Sequence, residues 1–381
     1  MKTYLDCIPC FVRQALEAAR MVSADAAIHE RVLREVLRWS SEMDMSQPPP
    51  AMGQRIHRLI RALTGVDDPY RPARERQNRM ALLLLSEMRE EIAAAADSFA
   101  MAVRLAIAGN VIDMGVNGQV NEADVRASLR QALDEPFSGD LEGFRRSVAE
   151  AGSILYLADN AGEIVFDRLL IEQMGPARVT LAVRGGPVIN DATRADARAA
   201  GLPGSLEIVD NGSDAPGTLL PDCSDEFRRC FAAADMVVAK GQGNYETLSR
   251  ERRGIHFLFK AKCPMIAEHA GVALGAHVLL SPQAGGGKEE NIAMEKDETN
   301  RILEGEIVDN TRDGSPPLPT AKAPAPKAVR TGNWIEVIAA IGGGIIRWLA
   351  SSSPNPPSRG GNQTGRGGGG GKMRRRRGGG R

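Results

Sequence analysis

The residues from Leu157 to Asp167, LADNAGEIVFD, carry the clearest chemical signal in the chain. A short apolar run, SILYLA, ends in Asp159 and Asn160, and a helix is predicted to begin almost at once. An acid and an amide are thus delivered to the carboxyl end of a strand, which is where α/β sheets bind ligands. Asp and Asn are also good helix N-caps, so an isolated pair reads equally well as a cap. This pair is repeated. In VRGGPVINDAT, residues 183–193, a second strand delivers a glycine pair and then Asn190 and Asp191 to a second helix start. Carboxylate and amide oxygens are hard donors suited to Mg²⁺ or Mn²⁺, whereas the five histidines are scattered without zinc-type spacing. Convergence of the two strand ends predicts a divalent-cation site built from Asp159, Asn160 and Asp191.

A third strand end, KGQGNYETL, places Lys240, Gly241, Gly243 and Asn244 at the same edge. Glycines let backbone N–H groups approach an anion, a following helix start adds its positive end and a lysine adds a full charge, so the segment reads as a phosphate cradle or, equally, as an ordinary Gly-rich turn. Its spacing is not that of the nucleotide-binding P-loop. Asn211 and Asp214, in IVDNGSDAPGTLL, either line the pocket or only form the turn. Glu163, one helical turn after Asp159, either orients a water or acts as a base, or only complements the helix dipole. Asp167, one turn further, is read as solvated. Cys7 and Cys10 form a CxxC pair near a helix start, suited to chelating a second metal or to redox exchange. A structural zinc needs two more ligands, Cys263 being one candidate, and buried packing is the competing account.

The elements that must position these residues follow from periodicity. From Phe11 to about Ala151, apolar residues recur every three and four positions, which predicts an all-helical unit, broken at Pro48–Pro50 and at GVDDPYRP, with a helix beginning near Pro72. After Gly152 the pattern changes to SILYLA, RVTLAVR, LEIV, MVVAK, IHFLF and HVLL, separated by helical stretches. That alternation predicts a three-layer α/β/α sandwich with a mainly parallel sheet. The expected organisation is a helical unit at 1–151, an α/β catalytic unit at 152–285 and a low-complexity basic tail at 286–381 that lacks the apolar residues to order itself.

The 381 residues carry 48 basic and 48 acidic side chains. The balance hides an asymmetry: residues 287–381 hold 16 basic against 10 acidic, net +6, leaving 32 against 38, net −6, for the rest. Five cysteines, an odd number, and no apolar leader point to a reducing cytoplasm. WIEVIAAIGGGIIRWLA, residues 334–350, is interrupted by charge and glycine and reads as an amphipathic segment at best, so no membrane span is expected.

Taken in order, DNAGE, PVINDAT, NGSDAPGT, KGQGNYE and FKAKC resemble the damage-control phosphatase family, a metal-binding domain family also described as acidic residue methyltransferase-like. Upstream, CIPC, DPY followed by Asn78, and AGNVIDMG resemble its archaeal and bacterial branch. The resemblance spans roughly residues 1–285. It implies a divalent ion, Mn²⁺, Co²⁺, Ni²⁺ or Mg²⁺, on Asp159, Asn160 and Asp191, with Lys240 and Asn244 on the phosphate side. It also implies an α/β/α sandwich beside a helical unit, and hydrolysis of small phosphorylated metabolites such as damaged or surplus sugar phosphates. Two other readings are carried. One is an S-adenosylmethionine-dependent carboxyl methyltransferase, against which the acidic DNAGE turn argues, since a cofactor site of that kind favours glycines after its first strand. The other is a nonenzymatic binding protein whose Gly/Arg tail contacts RNA.

Overall fold

The structure, a computed structural model, describes residues 1–110, 122–135 and 137–282. The predicted tail, the segment 334–350 and most of AGNVIDMG lie outside the described residues. Helices run in the order α1 (Cys7–Val22), α2 (Ala26–Glu42), α3 (Pro49–Thr64), α4 (Arg71–Ala94), α5 (Ser98–Ala108), α6 (Glu122–Leu133) and α7 (Leu141–Glu150). A short strand, β1 (Phe137–Gly139), precedes α7. The α/β half follows as β2 (Ile154–Leu157), α8 (Glu163–Met174), β3 (Val179–Val183), α9 (Arg194–Ala199), β4 (Glu207–Asp210), α10 (Asp225–Ala233) and β5 (Met236–Lys240). It closes with α11 (Gly241–Leu248), β6 (Ile255–Lys260), α12 (Pro264–Ala270) and β7 (His277–Leu280).

The seven strands lie in the order β1-β7-β6-β5-β2-β3-β4. All neighbouring pairs are parallel except β6 and β7. The chain winds outward from β2 through β3 to β4, then returns to place β5 on the other flank of β2. The direction of winding therefore reverses between β2 and β5, and a crevice opens there at the carboxyl ends of the strands. Strand β1 carries no apolar run; it exists because FSG pairs with the edge strand β7, a tertiary contact that periodicity does not reveal.

Alternate side chains of the central strands enter two different cores, as the two-residue period of a strand requires. Ile154, Tyr156, Leu181 and Val238 join Leu84, Phe99, Phe144 and Phe166 on one face. Leu155, Leu157, Val237 and Phe257 join Phe227, Tyr245 and Ile266 on the other. Helices α4 and α5 thus share a core with the sheet, whereas α1 to α3 surround their own cluster of Phe11, Ala15, Val32, Val36, Ile56 and Ile60. Among the described residues no helix is long and apolar enough to cross a membrane.

Two buried histidines make stability depend on acidity. His57, whose Nδ1 lies 2.7 Å from the Tyr70 hydroxyl, and His256, on β6, are both lowered to about 4 by burial. The unfolded chain binds these protons near pH 6.5, so the neutral folded form contributes stability above that pH that is lost as pH falls toward 4. Unfolding free energy from urea titration is expected to fall by about 2 kcal/mol per histidine between pH 7 and pH 5. His57→Gln will show the smaller fall; an unchanged fall would rule out this origin.

Candidate metal and phosphate site

Backbone bonds join the two acid-bearing loops. Ala192 N–H donates to the Asp159 carbonyl, and Ala161 N–H to the Asn190 carbonyl, each at 2.8 Å, so that Asn160 and Asp191 form an antiparallel bridge. The chain beyond β3 has thus turned back to run antiparallel to the segment that follows β2, which makes the side chains of Asp159, Asn160 and Asp191 neighbours. Just before Asp191, Ile189 sits at φ +44°, a left-handed conformation that β-branched residues avoid. Strain of this kind persists where surrounding structure over-determines it, commonly at functional sites.

The centre is crowded with carboxylates. Burial, then Glu163 and Asp191, hold the Asp159 carboxyl well above its usual range, while Arg184 and Lys262 pull the other way. Asp191 is also raised by burial, against the pull of Arg184. Arg184 Nε donates to Asp191 Oδ2 at 2.7 Å, its Nη2 is 3.9 Å from Asp159 Oδ1, and that buried Nη2 has no hydrogen-bond partner. Glu163, 3% exposed, accepts from Asn160 Nδ2 at 2.9 Å, from Asn110 Nδ2 and from Lys240 Nζ at 3.3 Å. Clustered buried oxygens with raised carboxyls are the environment a hard cation relieves, so Asp159, Asp191 and Asn160 fit such an ion chemically. Among the described residues no three His, Cys, Asp or Glu side chains stand ready as a metal site, and the donor set depends on counting the Asn160 amide oxygen.

The other predicted residues separate into several roles. Lys240 is 1% exposed, and its ammonium reaches the Ala106 carbonyl and Asp167 Oδ1, each at 2.7 Å, besides Glu163. Its three donors are therefore used inside the protein, and it acts on the site through Glu163. Gly241, at φ +79°, is needed for close approach: a Cβ there would lie 1.9 Å from Asp159 Oδ2. Gly243 packs against the Pro216 carbonyl, which a Cβ would meet at 2.3 Å. Asn244 is wholly buried, donating to the Lys240 and Ala158 carbonyls and accepting from Thr218 and Arg184, so it braces the strand ends from behind.

Asn190 meets the first loop through its carbonyl. Asn211 Oδ1 accepts from the N–H groups of Gly185 and Ser213, both at 3.0 Å, which is the work of a turn former. Asp214 receives Arg58, Arg61 and Gln54 from α3 and so ties the helical half to this loop. Asp167 corrects the solvated reading: it is 0% exposed and accepts from Lys240 and from the Tyr156 hydroxyl, both at 2.7–2.8 Å. A helix pressed on the sheet buries its polar positions too if partners await them. Cys7, Cys10 and Cys263 are near enough to influence one another. Burial raises the Cys7 thiol, and Glu246, Cys263 and Cys10 add to the rise against a Tyr4 backbone bond, an environment that disfavours the thiolate.

Sequence reasoning missed Arg184, Asn110 and Lys262. Arg184 directly follows β3 and carried the same strand-end signal as Asp159. Asn110 and Lys262 line a small cleft with Asp159, Glu163, Lys240 and Gly241; they lie within AGNVIDMG and FKAKC, but nothing in either motif by itself assigns them to the site.

A mainly parallel sheet with acidic side chains gathered past its strand ends at the switch point defines the class: an α/β protein with an acid-lined crevice. The family model of the damage-control phosphatase ARMT1-like domain matches residues 3–278, and the chain belongs to that family. It is 36% identical over 276 residues to a protein of Archaeoglobus fulgidus named damage-control phosphatase, covering 71% of this chain and 95% of that one. Damage-control phosphatase PH1575 of Pyrococcus horikoshii is 33% identical over 286 residues, covering 74% and 98%. An uncharacterized protein of Methanocaldococcus jannaschii is 32% identical over 291 residues, covering 72% and 94%. The crystal structure of PH1575, described as a DUF89 family protein, superposes with a TM-score of 0.68 at 31% identity, covering 74% of this chain and all of that one.

Proposed function

We propose that this chain is a divalent-cation-dependent phosphatase acting on small phosphorylated metabolites. The observation that carries the reading is the backbone bridge between Asn160 and Asp191, beside which Asn160 Nδ2 donates to Asp159 at 3.0 Å and Arg184 reaches both acids, so that the three side chains are close neighbours. Family membership supports it, as do the names of the A. fulgidus and P. horikoshii relatives. Asp159, Asp191 and the Asn160 amide oxygen would hold the ion, Mn²⁺, Co²⁺, Ni²⁺ or Mg²⁺. When bound, it supplies Lewis-acid polarisation of a phosphoryl oxygen.

The chain's own residues do the rest. Lys262 lines the cleft beside Asp159 and is assigned to the remaining phosphate charge. Glu163, steadied by Asn110, Asn160 and Lys240, is assigned to orient the attacking water. The new bond joins the water oxygen to phosphorus, the ester P–O bond breaks, and a water proton ends on the departing alkoxide, giving an alcohol and inorganic phosphate.

The test is phosphate release from a panel of sugar phosphates after chelation. Turnover is expected to vanish in the chelated protein and return with one or more of the four ions. Equal turnover in chelator would reject cation dependence, and release from no phosphomonoester, with tight calorimetric binding of S-adenosylmethionine, would replace the phosphatase by the methyltransferase.

A further inference from the structure

Asn78 lies on α4, far in sequence from both acid-bearing loops, yet it is 3% exposed and bonds Gly162 in the first loop and Asp196 in α9, just past the second. Its Oδ1 accepts the Gly162 N–H at 2.8 Å, and its Nδ2 donates to Asp196 Oδ1 at 2.8 Å. Gly162 lies between Asn160 and Glu163 at φ +78° and ψ −53°, near the rare γ-turn conformation, and caps α8 without any side-chain bond of its own. Asp196 Oδ2 accepts from Thr193 N–H at 2.9 Å, Thr193 Oγ1 at 2.7 Å and Arg74 Nε at 3.1 Å. Thr193 follows Asp191 by two residues and bridges to Arg184.

We propose that Asn78 is a positioning residue that sets the separation of the Asp159–Glu163 loop from the Asp191 loop and thereby tunes cation affinity. The inference rests on the cation site proposed above. The amide is matched to its place: one partner is an N–H that requires an acceptor, the other a carboxylate that requires a donor, and both amide atoms are used. Asp at this position would keep the first bond and set two buried carboxylates against each other. The backbone bridge already joins the loops on the sheet side, so Asn78 acts as a second anchor from the helical side, and two anchors fix an orientation where one leaves a hinge. Partners that orient ligand-bearing groups in this way are commonly worth about 10- to 100-fold in metal affinity.

The experiment is calorimetric titration of Mn²⁺ into the full chain, with turnover measured at saturating Mn²⁺. Asn78→Ala is expected to raise the Mn²⁺ Kd by about 10- to 100-fold while kcat at saturation changes far less. Asn78→Asp will be at least as impaired, and the exchange Asn78→Asp with Asp196→Asn, which restores one donor facing one acceptor, will recover most of the affinity. Arg89→Ala, which cuts the Arg89–Glu172 pair between the same two helices away from the loops, serves as the stability control and will leave the Kd unchanged. Should Asn78→Ala fail to fold, the single Asp variant set against the exchanged pair carries the comparison. An Asn78→Ala Kd equal to wild type, a Kd shifted as much by Arg89→Ala, or no recovery in the exchanged pair would overturn the inference alone. Failure of the wild type to bind any of Mn²⁺, Co²⁺, Ni²⁺ and Mg²⁺ would overturn both it and the cation site; if another of these ions binds in place of Mn²⁺, the same comparison is made with that ion.

Discussion

Asp159→Ala will abolish stoichiometric Mn²⁺ binding and lower kcat/KM for the best phosphomonoester by about 10³-fold or more. The size follows from what the residue is assigned to do. A cation on the phosphoryl oxygens contributes several kcal/mol to the transition state, and each 1.36 kcal/mol is a factor of ten in rate. The substitution also removes a raised carboxyl of the cluster, one that burial, Glu163 and Asp191 already push toward protonation. The folded protein should therefore be no less stable without it, and stability separates the two readings of Asp159. The cap position of α8 is held by Gly162, so the competing reading is a side chain that only braces its loop, whose removal would cost stability and leave turnover intact. A ligand costs turnover and leaves the melting temperature equal or higher. Full activity in a folded Asp159→Ala protein would remove this residue from the site.

Lys240→Met is expected to act in the opposite sense, mainly on stability. Burial alone would lower the lysine's pKa, but Asp167 and Glu163 outweigh it and hold the ammonium well above its usual range. Asp167 in turn is pushed up to about 6 by burial, with Lys240 restraining the rise. Removing one partner of a buried pair leaves an uncompensated charge, at a cost of about 3–5 kcal/mol. Without the ammonium the Asp167 carboxyl rises further, so the folded state binds its proton at a higher pH than the unfolded chain does. Stability of the variant is then retained at low pH and lost as pH rises through that higher value, so the loss relative to wild type is larger at pH 8 than at pH 5. Adding Asp167→Asn should restore most of it, because replacing both members of a buried pair is often neutral. Urea unfolding at the two pH values measures this directly. A Lys240→Met protein as stable as wild type at pH 8, yet unable to bind phosphate, would return Lys240 to the anion-binding role its sequence position suggests.

The amino-acid sequence alone determined the alternation of apolar runs and helices, and with it the α/β class and the edge of the sheet at which chemistry lies. It also singled out Asp159, Asn160 and Asp191, because residues that follow a buried strand must emerge at its end and their types announce their affinity. Such signals are local, and local signals survive in one dimension.

Tertiary structure decided what each polar side chain faces. Lys240 reads along the chain as the charge of a phosphate cradle and Asp167 as a solvated acid, but the docking of α8 and α5 on the sheet turns both inward to neutralise each other. Asp214 reads from the sequence as either a pocket residue or a turn former, and in the fold it anchors α3. Asn78, Asn110 and Arg184 reach the acid cluster from different parts of the fold, and Asn78 and Asn110 are 84 and 53 residues from the groups they hold. Sequence spacing carries no trace of such pairings, because hydrogen bonds and charge compensation over a few ångströms depend on which surfaces pack together, and only the folded chain specifies that.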